Sequence, residues 1–100
     1  MAEVILHPAA LREFQEAVSW YQQRSAGTAE RFASEVQRTL EVIGEQPERF
    51  GWYDQEFREA PTRLYPYSLI YRVLPSGDVQ IIAVAHASRE PDYWRRRASP

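Results

Sequence analysis

The sequence predicts an α+β fold of order β-α-α-β-β-β, a helical hairpin packed on a small, mostly antiparallel sheet. Three observations predict it. Residues 8–43 carry apolar side chains at helical spacing, interrupted only around Ser25-Ala26-Gly27-Thr28. Residues 57–86 change to strand patterning separated by turn residues. A chain of 100 residues that is 44% hydrophobic has material for one modest core, so residues 1–100 are read as a single domain.

Each element follows from its residues. Glu3 to His7 holds Val4-Ile5-Leu6, a short strand that Pro8 ends while opening a helix. Leu11, Phe14, Val18 and Tyr21 then form a helical stripe, with Arg12, Glu13, Gln15, Glu16 and Gln22 on the polar face. After the break, Thr28 is expected to cap a second helix. Its stripe runs Ala29, Phe32, Val36, Leu40, Ile43, and Gly44 and Pro47 are expected to close it. Residues 48–56 show no period and read as a loop whose aromatics fold back on the core. Phe57 to Leu64 reads as a strand that Pro61 demotes towards an edge or a bulged position. Tyr67 to Leu74 places Tyr67, Leu69, Tyr71 and Val73 on one face. Pro75-Ser76-Gly77-Asp78 is a hairpin turn. Val79 to His86 is apolar on both faces, as a central strand would be. Glu90 to Arg97 can form a helical turn, with acids at its start and arginines at its end.

Composition excludes several function classes. There is no cysteine, so disulfides and thiolate metal sites are excluded and a reducing cytoplasm is the expected location. No segment approaches the ~18 apolar residues of a membrane span, and the N-terminus lacks a signal-peptide pattern. No membrane partner, cofactor or metal is expected. All twelve basic residues are arginine, so any mechanism that needs lysine is closed. The formal net charge is −2, divided as −3 over residues 1–50 and +1 over residues 51–100. Proteins that live on nucleic acid carry a basic face instead.

Four stretches in this order resemble the RelE/ParE toxin superfamily of bacterial type II toxin–antitoxin modules. They are the Pro8-Ala9-Ala10-Leu11 helix start with Trp20-Tyr21 near its end, and the second helix with Ala29, Phe32 and Leu40, stopping before Pro47. Pro66 to Val73 (PYSLIYRV) follows, and last Ala83-Val84-Ala85-His86 with Arg89, Pro91, Tyr93 and Trp94. The resemblance covers most of the chain and implies the fold and a cognate antitoxin whose extended tail lies over the two helices and pairs with the sheet. It implies a hetero-oligomer of the plasmid-stabilisation type. For activity the superfamily is split. ParE-like members resemble non-enzymatic inhibitors that bind DNA gyrase; RelE-like members resemble ribosome-dependent mRNA endoribonucleases. A toxin that only binds its antitoxin is a third reading.

A metal-free ribonuclease needs a base, a cation and an acid within mutual reach. Arg72, His86, Arg89 and Tyr93 are the candidates. Against them, the chain is acidic and has no lysine, and Ala87 stands where RelE-like enzymes tend to place a basic residue, unless a short gap brings Arg89, two places on, to that position. The ParE-like reading is therefore preferred. Its partner-binding candidates are Trp20, Trp52, Arg58, Arg63, Tyr93, Trp94, Arg95 and Arg96, since aromatics and arginine are enriched at interface hot spots. Each has a plainer reading as core, surface ion pair or solvated charge.

Overall fold

A computed structural model describes residues 2–98. Strand β1 is Val4–Leu6, and helix α1 follows at once over Pro8–Gln22. Pro8 sits in the first turn, where its missing N–H is not needed. His7 caps the helix through Nδ1, which accepts the Ala9 N–H at 3.0 Å. Helix α2 spans Ala26–Glu45. Its cap is Ser25, whose Oγ accepts the Thr28 N–H at 3.2 Å, so the expected cap at Thr28 is three residues late. Ser25 is extended (φ −165°, ψ 118°), the conformation an N-cap requires, whereas Thr28 is already helical.

Strands β2 (Arg58–Pro61), β3 (Tyr67–Val73) and β4 (Val79–His86) complete a four-stranded mixed sheet in the order β1-β4-β3-β2. β2–β3 and β3–β4 pair antiparallel; β1 runs parallel to β4. The helical hairpin is thus the crossover that a parallel neighbour demands. The α+β architecture is as expected.

Both faces of the sheet are covered. On one, α1 and α2 pack Phe32, Val36 and Ile43 against Leu69, Tyr71 and Ile81. On the other, Phe57, Ile70 and Ile82 meet Trp94 from the chain's end. β4 serves both layers because Tyr71 pairs with Ile81 while Ile70 pairs with Ala83. Ile82 is the extra, bulged residue, which breaks alternation and buries four successive side chains, Ile81 to Val84.

Several element details differ from the sequence reading. Leu11 is 44% exposed, because the α1 face on the core is made by buried Ala10 and Ala17 with half-buried Phe14, Val18 and Tyr21 beside them. The small Ala10 and Ala17 let α1 approach the sheet closely. Val73 is 42% exposed although its strand parity points inward. β2 stops at Pro61; Leu64 has φ 68° and is fully exposed in a turn. Gly44 lies within α2, not beyond it. A Cβ there would come within 3.1 Å of Val4 Cγ2, so glycine lets α2 press on β1. The described residues close on a single 3-10 turn, Arg95–Ala98.

Candidate partner-docking surface

β1 accompanies β4 only as far as Ile81. Beyond it, Val84 N–H donates to Glu13 Oε1 at 3.0 Å, and Ile82 C=O accepts from Arg97 Nη1 at 3.1 Å. Glu13 and Arg97 in turn form a two-pronged ion pair at 2.8 and 2.9 Å. Tyr93 donates its hydroxyl to Glu13 Oε2 at 2.6 Å. One carboxylate and one guanidinium thus replace the backbone partners of a missing strand.

This network corrects the reading of Glu13 as polar-face surface. The residue lies three positions after buried Ala10 and four before buried Ala17, so it shares their side of α1. That spacing was the signal available in the sequence. Arg97 reads in the sequence only as one of the arginines that end the C-terminal turn; nothing there signals its pairing with Glu13, because that partner lies 84 residues away. Burial pushes the Glu13 carboxyl up. The bonds from Arg97, Tyr93 and Val84 outweigh that and hold it below the usual carboxylate range. Burial and the Glu13 hydrogen bond push the Tyr93 phenol well above its ordinary value.

The four candidate nuclease residues do not converge. Arg72 pairs with Gln80 across the sheet, six positions along β4 from His86, which at ~3.3 Å per residue is roughly 20 Å. Its guanidinium is engaged by Glu56 at 3.0 Å and Gln80 at 3.1 Å. His86 Nδ1 accepts the Ser88 N–H at 2.9 Å, and its ring stands edge-on to Tyr67. Arg89 stacks over Tyr93, 3.8 Å from the ring centre, while the Tyr93 hydroxyl is committed to Glu13. His86 and Arg89 face a groove of about 430 Å³ that also carries Glu13, Glu16, Trp20 and Tyr67, and with Tyr93 they line a second concavity of about 270 Å³; Arg72 lines neither. Among the described residues, no three His, Asp or Glu side chains gather as a metal site would need.

The partner-binding candidates divide sharply. Trp20 is 50% exposed on the groove wall, with Arg24 stacked 3.6 Å from its ring centre. Trp52 is 60% exposed, covered on one face by Arg58 at 3.7 Å. Arg58 also ties down the loop, donating to the carbonyls of Phe50 at 2.7 Å and Glu48 at 3.3 Å; these carbonyls hold it where a surface ion pair was the plainer reading. Arg63 is exposed at the β2–β3 turn, where its backbone N–H, not its side chain, bonds Glu35. Arg96 is exposed. Arg95 is engaged by Asp54 at 2.7 Å and Asp92 at 2.8 Å. Trp94, expected on the surface, is only 2% exposed. Its ring lies 4.8 Å from Phe57 and 5.2 Å from Tyr53, because the sheet's second face has no helix and the chain's end has to cover it.

Two helices crossing from a parallel edge strand onto this mixed sheet define the fold of the RelE/ParE toxin superfamily. A solved structure described as the chromosomal ParDE toxin–antitoxin system from P. aeruginosa is similar to it, with a TM-score of 0.75 at 12% identity. The match covers 88% of this chain and 98% of that one. The family model for the ParE toxin of the type II toxin–antitoxin system, parDE, matches residues 4–91, and the chain belongs to that family. None of the curated proteins compared is significantly similar in sequence.

Proposed function

We propose that the chain is a toxin that a cognate antitoxin neutralises, and that it acts in the cytoplasm by binding DNA gyrase rather than by cutting RNA. Family membership supports the toxin–antitoxin context. The observation that carries the choice of mechanism is the separation of Arg72 from the other candidate catalytic groups. Arg72 lies at one end of the β3–β4 pair and His86 at the other, and both are already engaged by neighbouring side chains or backbone. General acid–base cleavage requires those groups within hydrogen-bond reach of one substrate. A binding mechanism makes no such demand. The antitoxin is read as lying over the helical hairpin, with the Trp20 groove as its aromatic anchor site.

The test is a pair of assays on the purified chain. Gyrase supercoiling is followed with relaxed plasmid, and mRNA integrity in a reconstituted translation system. The expected result is gyrase inhibition with intact mRNA, unchanged in Arg72→Ala and His86→Ala. Cleaved mRNA, with both variants inactive and gyrase unaffected, would replace this reading by the ribonuclease.

A further inference from the structure

We propose that the β2–β3 turn is the prong by which this toxin grips its target, with Leu64 as an apolar anchor and Arg63, Arg31 and Arg38 around it, and that the target offers an apolar socket edged by carboxylates. The inference rests on the gyrase reading above and names the part of this chain that makes the contact.

Leu64 is 97% exposed, against 60% for Trp52 and 50% for Trp20, the next most exposed large apolar side chains among the described residues. Those two tryptophans are each covered on one face by an arginine, whereas Leu64 packs with neither apolar cluster of the core. Its backbone is left-handed, with φ 68°, a region that strains a residue with a long side chain and that Gly or Asn fills at less cost. A leucine there is unfavourable in exposure and in conformation, and such a residue persists only where its surroundings impose it.

The surroundings do impose it. Pro61 and Ser68 still pair across the hairpin, and Thr62 N–H donates to Tyr67 C=O at 2.9 Å. The hydroxyl of buried Thr62 donates to the same carbonyl at 2.8 Å. Arg63 N–H donates to Glu35 Oε2 on α2 at 2.7 Å. Tyr65 sets its ring 5.2 Å from Phe32 and 5.6 Å from Tyr21. Both neighbours of Leu64 are thus pinned to the helices, and the side chain between them is held outward. A contact group fixed in advance loses little freedom on binding.

The charges around the prong select the partner. Arg31, Glu35 and Arg38 follow one another at spacings of four and three on α2 and share one face. Glu35 is taken up by Arg38 in two hydrogen bonds of 2.9 and 3.1 Å. The Arg63 side chain makes no ion pair among the described residues. Together this face carries three arginines against Glu30 and Glu35, in a chain whose net charge is −2. A cationic rim around an apolar anchor matches a socket edged by Asp and Glu. Two copies of the face would set arginine against arginine, which disfavours self-association. A surplus of a single positive charge is too small to hold a phosphate backbone, which favours a protein over DNA as the partner.

The experiment uses the full chain with purified gyrase and relaxed plasmid, and compares wild type with Leu64→Asn and Arg63→Glu. Asn keeps the left-handed turn and removes the anchor, so Leu64→Asn should unfold at the same denaturant concentration as wild type or a higher one. Expected is about tenfold weaker gyrase inhibition by each variant at low salt. The Arg63→Glu deficit should shrink as salt rises, and antitoxin affinity should be unchanged in both. Inhibition by Leu64→Asn equal to wild type overturns the prong and leaves the gyrase reading standing. Arg63→Glu inhibiting as wild type does overturns the carboxylate-edged socket. Loss of antitoxin binding in Leu64→Asn would assign the turn to the antitoxin, and a changed oligomeric state in sedimentation would assign it to a second copy. A plasmid mobility shift by the toxin alone that Leu64→Asn abolishes would assign it to DNA; each of these overturns the proposal. No inhibition by wild type sinks the gyrase reading and the proposal with it.

Discussion

Replacing Glu13 by glutamine tests the physical account of the β4 edge most directly. The carboxylate accepts four hydrogen bonds, from Val84 N–H, Tyr93 hydroxyl and two Arg97 nitrogens, all between 2.6 and 3.0 Å. The Glu13 and Arg97 side chains are 13% and 19% exposed. Glutamine keeps one acceptor oxygen, turns the other into a donor, and leaves the guanidinium without a counter-charge. Breaking a buried pair this way costs about 3–5 kcal/mol; an exposed pair is worth ~0–1 kcal/mol. At this intermediate burial the expected loss is about 2 kcal/mol, which for a domain of this size is a Tm drop of roughly 8–16 °C.

Acid supplies the internal control for Glu13→Gln. The carboxyl's folded pKa is depressed below its ordinary value of 4.5, so its contribution is fully present above about pH 4.5 and is lost as pH falls through the folded value. Denaturant unfolding followed by Trp fluorescence should show the gap between wild type and Glu13→Gln constant at neutral pH and closing below pH 4.5. A variant within about 0.5 kcal/mol of wild type at pH 7, the usual range for surface substitutions, would refute the strand-substitute argument. So would a gap that does not change with acid.

Trp94→Ala removes the largest side chain from the second face of the sheet and should cost about 3–5 kcal/mol in the same denaturant assay; a change under 1 kcal/mol would return Trp94 to the surface. Trp20→Ala should change stability by no more than ~0.5 kcal/mol while weakening the antitoxin complex by about 2 kcal/mol in calorimetry; unaltered affinity would remove the groove from the docking surface.

Local chemistry made much of this molecule legible. Pro8, the stripe through Phe32, Val36 and Ile43, and the Pro75–Asp78 turn each act within a few residues, so the element order and the α+β class follow from the chain alone. The residues that carry the resemblance lie in those same segments, and so the toxin family was also visible there. Boundaries failed where neighbours in space decide them. Leu64 lies in a stretch patterned as strand but has no partner strand, and Leu11 sits on the stripe's flank with no sheet beneath it.

The roles of the C-terminal residues were decided only by the tertiary structure. In sequence Trp94, Arg95 and Arg97 are one basic aromatic run. In space Trp94 plugs the sheet's uncovered face, Arg95 meets Asp54 across 41 residues, and Arg97 meets Glu13 across 84. Likewise β1 and β4 are distant in sequence, and their parallel pairing alone determines which edge is plugged and which is open. Periodicity reports what a segment wants to bury. It carries no information about which distant charge will find a buried carboxylate, because that contact exists only after the sheet has closed around it.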